Sequence, residues 1–98
     1  MGLPVRWSPR AAHHLEDICA YIGRDSVRYA ALFAQRVLQV IESIPANPRL
    51  GRIVPEYSEE NLRERIYQGY RIVYRITESA IEIAAICHGA RHLRNAME

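Results

Sequence analysis

The sequence contains no lysine, and all 13 of its basic residues are arginine. Without lysine the chain can form no Schiff base and has no lysine general base, so enzyme classes built on that chemistry are excluded. Arginine stays charged at any working pH, and its planar fork suits phosphate and carboxylate groups. Because the net charge is only +2, the positions of the arginines carry more information than their number.

Cysteine and long apolar runs are also scarce. Cys19 and Cys87 are too few for a disulfide framework or for a zinc site built on CxxC pairs, and their apolar neighbours predict buried, reduced thiols. No apolar run approaches the roughly 18 residues of a membrane span, and residues 1–6 lack a signal-peptide core. We therefore expect a cytoplasmic protein with no membrane partner. We expect no metal and no cofactor, since no spacing in the chain predicts a site for either.

The length of 98 residues and an apolar fraction of 49% predict one globular domain that spans residues 1–98. Hydrophobic periodicity predicts one strand, two helices and then three more strands. A Ser8-Pro9 pair begins the first helix and Asp25-Ser26 caps the second. The remaining bounds are a strand over 3–7, helix ends at Gly23 and Pro45, a loop over 45–60, strands over 62–68, 70–77 and 80–88, and a polar tail over 89–98.

This element order, β-α-α-β-β-β, predicts an α+β fold. The two helices should form an antiparallel hairpin, and their apolar stripes need a sheet to cover them. The expected architecture is an N-terminal strand and a helical hairpin packed on one face of a small antiparallel sheet. Only the C-terminal tail is then left to cover the other face of that sheet.

Four arginines crowd the two predicted strands between residues 63 and 75. They are Arg63, Arg65, Arg71 and Arg75, and the same stretch has one acid, Glu64. If their faces coincide, four like charges lie within reach across a hairpin, which destabilises a sheet unless something offsets the repulsion. Two interpretations stay open. The arginines pair with nearby acids, or they bind an anionic partner such as a phosphate backbone or an acidic peptide. The acids available for pairing are Glu56, Glu59, Glu60, Glu64 and Glu82.

The tail adds two histidines, His88 and His92, to two further arginines, Arg91 and Arg94. Histidine transfers protons near neutral pH, and an arginine beside it could clamp a phosphate. The alternative is that these side chains are simply solvated. The His88–His92 spacing is not a metal signature, because Gly89 opposes the helix that such a pair would need.

Several segments, in order along nearly the whole chain, form a joint pattern that is specific although no single piece is. They are Val5–Ala11 (VRWSPRA), Leu15–Ile22 (LEDICAYI), Pro48–Arg52 (PRLGR), Gly69–Arg75 (GYRIVYR) and His88–Arg91 (HGAR). This pattern resembles the ParE branch of the RelE/ParE toxins of type II toxin–antitoxin, or plasmid stabilisation, modules. The element order of that family agrees with the one predicted above.

The resemblance implies one of two toxic activities. RelE-like members are enzymes that cut messenger RNA on the ribosome. Arg71 and Arg91 match arginines of their site, and Arg63 and Arg65 fall, with a one-residue gap, where such members place lysines. The tyrosine that those members carry about six residues after the last-strand arginine corresponds here to Met97. RNA cleavage would therefore need His88 or His92 for proton transfer, with Arg71 and Arg91 as the phosphate clamp.

ParE-like members instead poison DNA gyrase and need no catalytic residues. The long helical hairpin and the HGAR ending are more similar to that branch, so gyrase poisoning is the favoured interpretation. In either branch the resemblance implies a cognate antitoxin as partner, with a heterotetramer as one candidate assembly. The residues expected to bind the antitoxin or the target are Arg63, Arg65, Arg71, Arg75 and Arg91.

A third interpretation is a non-toxic nucleic-acid-binding module, in which tyrosines beside the arginines stack on bases. The 13 basic residues are nearly balanced by 11 acidic ones, whereas such modules show a strong basic excess. The third interpretation is therefore disfavoured.

Overall fold

The structure is a computed structural model that describes residues 2–89 and 92–98. Its strands are β1 (Val5–Trp7), β2 (Arg52–Ile53), β3 (Leu62–Tyr67), β4 (Tyr70–Ile76) and β5 (Ile81–His88). Its helices are α1 (Pro9–Gly23), α2 (Val27–Ser43) and α3 (Leu93–Met97). Two 3-10 turns, Ile44–Ala46 and Pro48–Leu50, lead from α2 to β2.

Both long helices begin where the sequence predicts. The Ser8 side chain accepts a hydrogen bond from the Ala11 backbone N–H at 3.0 Å, and Pro9 occupies the first helical position. Ser26 does the same for the N–H of Tyr29 at 3.0 Å. These caps satisfy N–H groups that have no partner inside the helix, which is why serine fixes each start so well.

The strands form one sheet in the order β1-β5-β4-β3-β2. Strands β2 to β5 pair antiparallel, whereas β1 lies parallel to β5 at the edge. The predicted α+β class and helical hairpin are confirmed, and the sheet is mixed because the helices return the chain before β2 begins. Val5 and Trp7 extend the apolar surface of β5 and pack against the same core.

The sheet has two apolar faces. We call the side covered by α1 and α2 the helix face; its core joins Phe33, Val37 and Ile41 of α2 to Ile72 and Tyr74 of β4. We call the opposite side the tail face. Its smaller core consists of Val54, Leu62, Val73, Ala85, Cys87 and Leu93.

The elements on the tail face differ from two predictions, the polar tail over 89–98 and the loop over 45–60. The C-terminal tail contains the short helix α3, whose Leu93 is only 1% exposed. The predicted loop over 45–60 contains β2 and the 3-10 turns, and it contributes the buried Val54. A helix of five residues is too short to show a hydrophobic period, which is why the sequence pattern missed α3.

Neither Cys19 nor Cys87 forms a disulfide, and only Cys87 is buried as predicted. Cys19 is partly buried between α1 and α2, where its Sγ lies 3.9 Å from the Ala30 carbonyl oxygen. Desolvation raises the pKa of the Cys19 thiol. Within the described residues, no helix combines the length and the apolar character needed to span a membrane.

Candidate functional site

The sequence leaves open whether the four arginines of β3 and β4 share one face, and the structure shows that they do not. Arg63 and Arg65 pair with Tyr74 and Ile72 and lie on the helix face, whereas Arg71 pairs with Ile66 on the tail face. Arg75 lies four residues after Arg71 in the same strand and therefore also on the tail face, opposite Leu62. Residues directly opposite in an antiparallel pair share a face, so this register separates the arginines into two pairs. The four arginines therefore form no cluster across the hairpin.

Arg71 is buried, at 6% exposure, and all of its polar groups have partners. Its Nη1 and Nη2 donate to the two carboxylate oxygens of Glu56 at 2.6 and 2.7 Å. Its Nε donates to Glu64 at 2.6 Å. Hydrogen bonding from Arg71 is the main cause that lowers the pKa of Glu56 to about 2. The bonds to Glu56 in turn raise the pKa of Arg71 further, so both groups stay charged.

Glu64 lies under this pair with a fully buried side chain, and it also forms an ion pair with Arg52 of β2. We call Arg52, Glu56, Glu64 and Arg71 the Arg71 cluster. Arg94 of α3 closes over it, since its Nη2 donates to the Glu56 carbonyl at 2.6 Å and its guanidinium stacks 4.7 Å from the Tyr57 ring centroid. Residues far apart in sequence are joined here by charge-assisted bonds, which gives the cluster a structural role.

The other three predicted arginines also have intramolecular partners. Arg75 pairs with Glu59 at 3.2 Å. Arg63 donates to backbone carbonyls, including that of Glu60 at 2.7 Å, and Arg65 lies 3.4 Å from the Ser43 hydroxyl. The interpretation that acids neutralise the arginines is confirmed for Arg71 and Arg75, while Arg63 and Arg65 use neutral oxygens.

The Pro48–Arg52 segment has a structural explanation as well. The buried Tyr74 hydroxyl donates to the Pro48 carbonyl at 2.6 Å, and its ring lies directly against Gly51. Burial raises the pKa of Tyr74, so the hydroxyl remains a donor. A side chain at position 51 would collide with that hydroxyl, and this contact is the reason for glycine there.

Of the residues named for a nuclease, Arg71 and His88 lie apart. In the β4–β5 register Tyr70 pairs with His88 and Arg71 pairs with Cys87, so His88 and Arg71 point to opposite faces of the sheet. His88 packs edge-on against the Tyr70 ring, with centroids 5.3 Å apart. Arg91 lies outside the described residues.

His88 does line a different cleft, of about 400 Å³, between α1 and the outer edge of β5. Its polar lining includes His14, Asp17, Tyr21 and Tyr70. A neighbouring cavity of about 230 Å³ adds His92 and Asn95 and shares His14 and Asp17. We call the two together the histidine cleft. Imidazole and carboxylate side chains in one cleft can donate and accept protons near neutral pH.

Sequence reasoning missed the role of His14. Its Nδ1 accepts a hydrogen bond from the Ile86 backbone N–H at 3.1 Å, on the stretch of β5 that β1 is too short to cover. His14 and Asp17 stand one helical turn apart, and that spacing was the available signal. Across residues 2–89 and 92–98, no three His, Cys, Asp or Glu side chains are placed to hold a metal ion.

Comparison with known families gives one family match over most of the chain. The family of the ParE toxin of the type II toxin–antitoxin system parDE matches residues 5–93. A relative from Sinorhizobium fredii, named "Putative toxin Y4kP", is 33% identical over 89 residues, which cover 86% of this chain and 85% of the relative.

Solved structures share the fold at low identity. A chain of the chromosomal ParDE system from P. aeruginosa is 17% identical with a TM-score of 0.73, covering 88% of this chain and 95% of that one. A chain of the RelBE2 toxin–antitoxin complex from Mycobacterium tuberculosis is 20% identical with a TM-score of 0.57, covering 90% and 99%. A chain of the YoeB dimer from Staphylococcus aureus is 21% identical with a TM-score of 0.55, covering 94% of this chain and 99% of that one.

Proposed function

This chain belongs to the ParE toxin family of type II toxin–antitoxin systems, and from that premise we propose that it inhibits growth by poisoning DNA gyrase. The alternative activity is messenger RNA cleavage. A gyrase poison acts by binding gyrase, whereas a nuclease needs a catalytic centre, so the structure of the candidate site bears on the choice. The family also implies an antitoxin that holds the toxin inactive, and the solved ParDE and RelBE2 relatives are toxin–antitoxin systems.

The burial of Arg71 carries the proposal. The resemblance assigns this arginine to the phosphate clamp of RelE-like nucleases, yet here both terminal nitrogens bind Glu56 and the Nε binds Glu64. A phosphate would have to displace two carboxylates from a charge-assisted, largely buried site, and breaking such a pair is strongly unfavourable. An arginine held in this way stabilises the fold and is not available to bind the phosphate of an RNA substrate.

The histidines and Met97 agree with this interpretation. A clamp and a proton-transfer group must reach the same phosphodiester, but His88 and Arg71 lie on opposite faces of the sheet. Met97, which stands where RelE-like members carry a tyrosine, packs against the tail-face core. Neither His88 nor Met97 therefore supplies a proton-transfer group beside Arg71.

The deciding experiment expresses the chain alone and follows growth, transcript integrity and plasmid supercoiling. We expect growth arrest that the co-expressed antitoxin relieves, inhibited supercoiling by purified gyrase, and intact messages. A histidine double variant, His88→Ala with His92→Ala, should stay as toxic as the His13→Ala control, whose exposed side chain lies outside the histidine cleft. Cleavage of messages in the A site of purified ribosomes would overturn the proposal.

The histidine cleft supports the alternative, a ribosome-dependent nuclease. It gathers His14, His88 and His92 around Asp17 in adjoining cavities, so protons could be moved there without Arg71. In that case the histidine double variant should lower cleavage by roughly 10²- to 10⁴-fold, the usual contribution of a general acid or base. The same variant therefore separates the two activities.

The antitoxin contacts of Arg63, Arg65, Arg71, Arg75 and Arg91 stay a prediction. Four of these residues already have intramolecular partners, so an acidic segment of the antitoxin would have to compete for them. Arg65 is the most available of the four, since among the described residues its side chain donates only to the Ser43 hydroxyl, at 3.4 Å.

A further inference from the structure

Most arginines in the described part of the chain are engaged by carboxylates, carbonyls or aromatic rings. Arg6, Arg10, Arg28 and Arg36 differ, since each is exposed and has no hydrogen bond, ion pair or ring contact with a described residue. Arg28 and Arg36 stand on the outer side of α2. Arg6 and Arg10 line one cleft together.

This cleft has a volume of about 520 Å³ and lies where β1 passes into α1. We call it the β1–α1 cleft. Several elements build it. Its main lining residues are Arg6 and Trp7 of β1, Arg10 of α1, Arg75 of β4, Glu82 of β5 and Met97 of α3.

A row of charges crosses the cleft. Glu82 of β5 pairs with Arg6 of the neighbouring strand β1 and with Arg75 of β4 on its other side. It therefore lies between the two arginines. Arg75 is also bound to Glu59 at 3.2 Å. The carboxylates of Glu82 and Glu59 offset about two of the three arginine charges at the cleft. The cleft therefore stays positive on the side of Arg6 and Arg10.

Arg10 is placed unfavourably for its own helix. It is the second residue of α1, whose first turn contains no acid, and the N-terminal end of a helix already carries positive partial charge. A cation there lowers the stability of the helix. An anion bound in the cleft would offset that cost and would also satisfy Arg6.

We propose that the β1–α1 cleft binds an acidic, partly apolar segment of the antitoxin. This inference rests on the proposed function, because it takes the antitoxin as the partner. The arginine forks suit carboxylates, and Met97, which packs against the tail-face core, offers an apolar side chain at the cleft. Glu82 favours a peptide over a nucleic-acid backbone. A peptide brings amide N–H donors that Glu82 can accept, whereas a phosphodiester brings only acceptors.

The test compares two variants of equal charge. Arg6→Gln with Arg10→Gln removes two positive charges from the cleft, and Arg28→Gln with Arg36→Gln removes two from α2, outside the cleft. Affinity for the antitoxin encoded beside this gene is measured by titration at several salt concentrations. We expect the cleft variant to bind at least about tenfold more weakly, with a flatter salt dependence, because charged contacts are lost. The α2 variant should match the parent chain.

Trp7 supplies a local signal, since it is the one tryptophan in the sequence. Fluorotryptophan incorporated into the toxin should shift its fluorine resonance when the antitoxin binds, and this shift should disappear in the cleft variant at equal occupancy. Circular dichroism and a thermal melt check that both variants are folded.

The remaining outcomes count against the inference. Equal losses in both variants would assign the attraction to overall charge, and unchanged affinity in the cleft variant would place the antitoxin elsewhere. Unchanged antitoxin affinity combined with lost binding to duplex DNA would make the occupant a phosphate backbone. Failure of the toxin–antitoxin role itself looks different, because then the parent chain neither arrests growth nor binds the antitoxin, whereas message cleavage in place of gyrase inhibition would leave the antitoxin as partner.

Discussion

One carboxylate, that of Glu56, holds both terminal nitrogens of Arg71 at 2.6 and 2.7 Å. A parallel pair of bonds of this kind is the geometry in which guanidinium and carboxylate groups bind most strongly. The pair ties the segment after β2 to the start of β4, 15 residues apart in sequence. It therefore fixes how the tail face closes, and it keeps the Arg71 guanidinium away from solvent.

Replacing Arg71 should destabilise the protein strongly. Arg71→Ala leaves the fully buried Glu64 with only Arg52 as a charged partner, so we expect a loss of about 3 kcal/mol or more in the free energy of unfolding. Arg65→Ala, which removes a long contact to a hydroxyl, should cost less than about 1 kcal/mol. Urea denaturation of both variants measures the difference, and equal losses would contradict a structural role for the cluster.

The Glu56–Arg71 pair should also shape the acid sensitivity of the fold. The pKa of Glu56 is lowered from its ordinary 4.5 to about 2, so the folded state binds the proton more weakly than the unfolded chain. Its stabilising contribution is then complete above about pH 4.5 and is lost as the pH falls toward 2. Glu56→Gln should lower stability at pH 7 and flatten its decline across that window.

Glu59→Gln is the matched control for this pH experiment, because Glu59 forms an exposed pair with Arg75 on the same face. It should keep the decline of the parent chain between pH 4.5 and 2. The interpretation fails if Glu56→Gln declines as steeply as the parent.

Gly51 should tolerate no side chain. A Cβ there would collide with the Tyr74 hydroxyl and lie 2.8 Å from the Glu64 carbonyl oxygen. Gly51→Ala should therefore cost about 1–3 kcal/mol, as overpacking typically does. At Gly23 the nearest atom to a Cβ would be the Ala30 Cβ at 3.8 Å, so Gly23→Ala should be neutral or stabilising by up to about 1 kcal/mol. Thermal melts should give a lower melting temperature than the parent chain for Gly51→Ala and an equal or higher one for Gly23→Ala.

The Tyr74 hydroxyl should contribute to stability on its own. Tyr74→Phe keeps the ring but leaves the Pro48 carbonyl without its donor, so we expect a loss of about 1 kcal/mol. Tyr29→Phe is the control, because its hydroxyl makes an exposed bond to Gln68 at 3.2 Å, and it should change stability little. Equal unfolding free energies for the two variants would argue against the Tyr74–Pro48 contact.

The sequence by itself determined the elements that have a clear local cause. Serine caps fixed the starts of α1 and α2 because a side-chain oxygen supplies a bond that the first helical turn needs. Alternation fixed which residues of β4 face the helices, since a strand turns successive side chains to opposite sides. The resemblance of the ordered segments to the ParE branch agreed with the family match.

Only the tertiary structure decided what the arginines do. Each strand pattern gave the faces of its own residues, but the register between β3 and β4 placed Arg63 and Arg65 on one side and Arg71 and Arg75 on the other. Likewise, no local pattern predicts that Glu56 reaches Arg71 or that Arg6 and Arg10 meet Glu82 at a cleft. Pairing and burial of charge depend on contacts between segments far apart in the chain, and these contacts exist only after the sheet has formed.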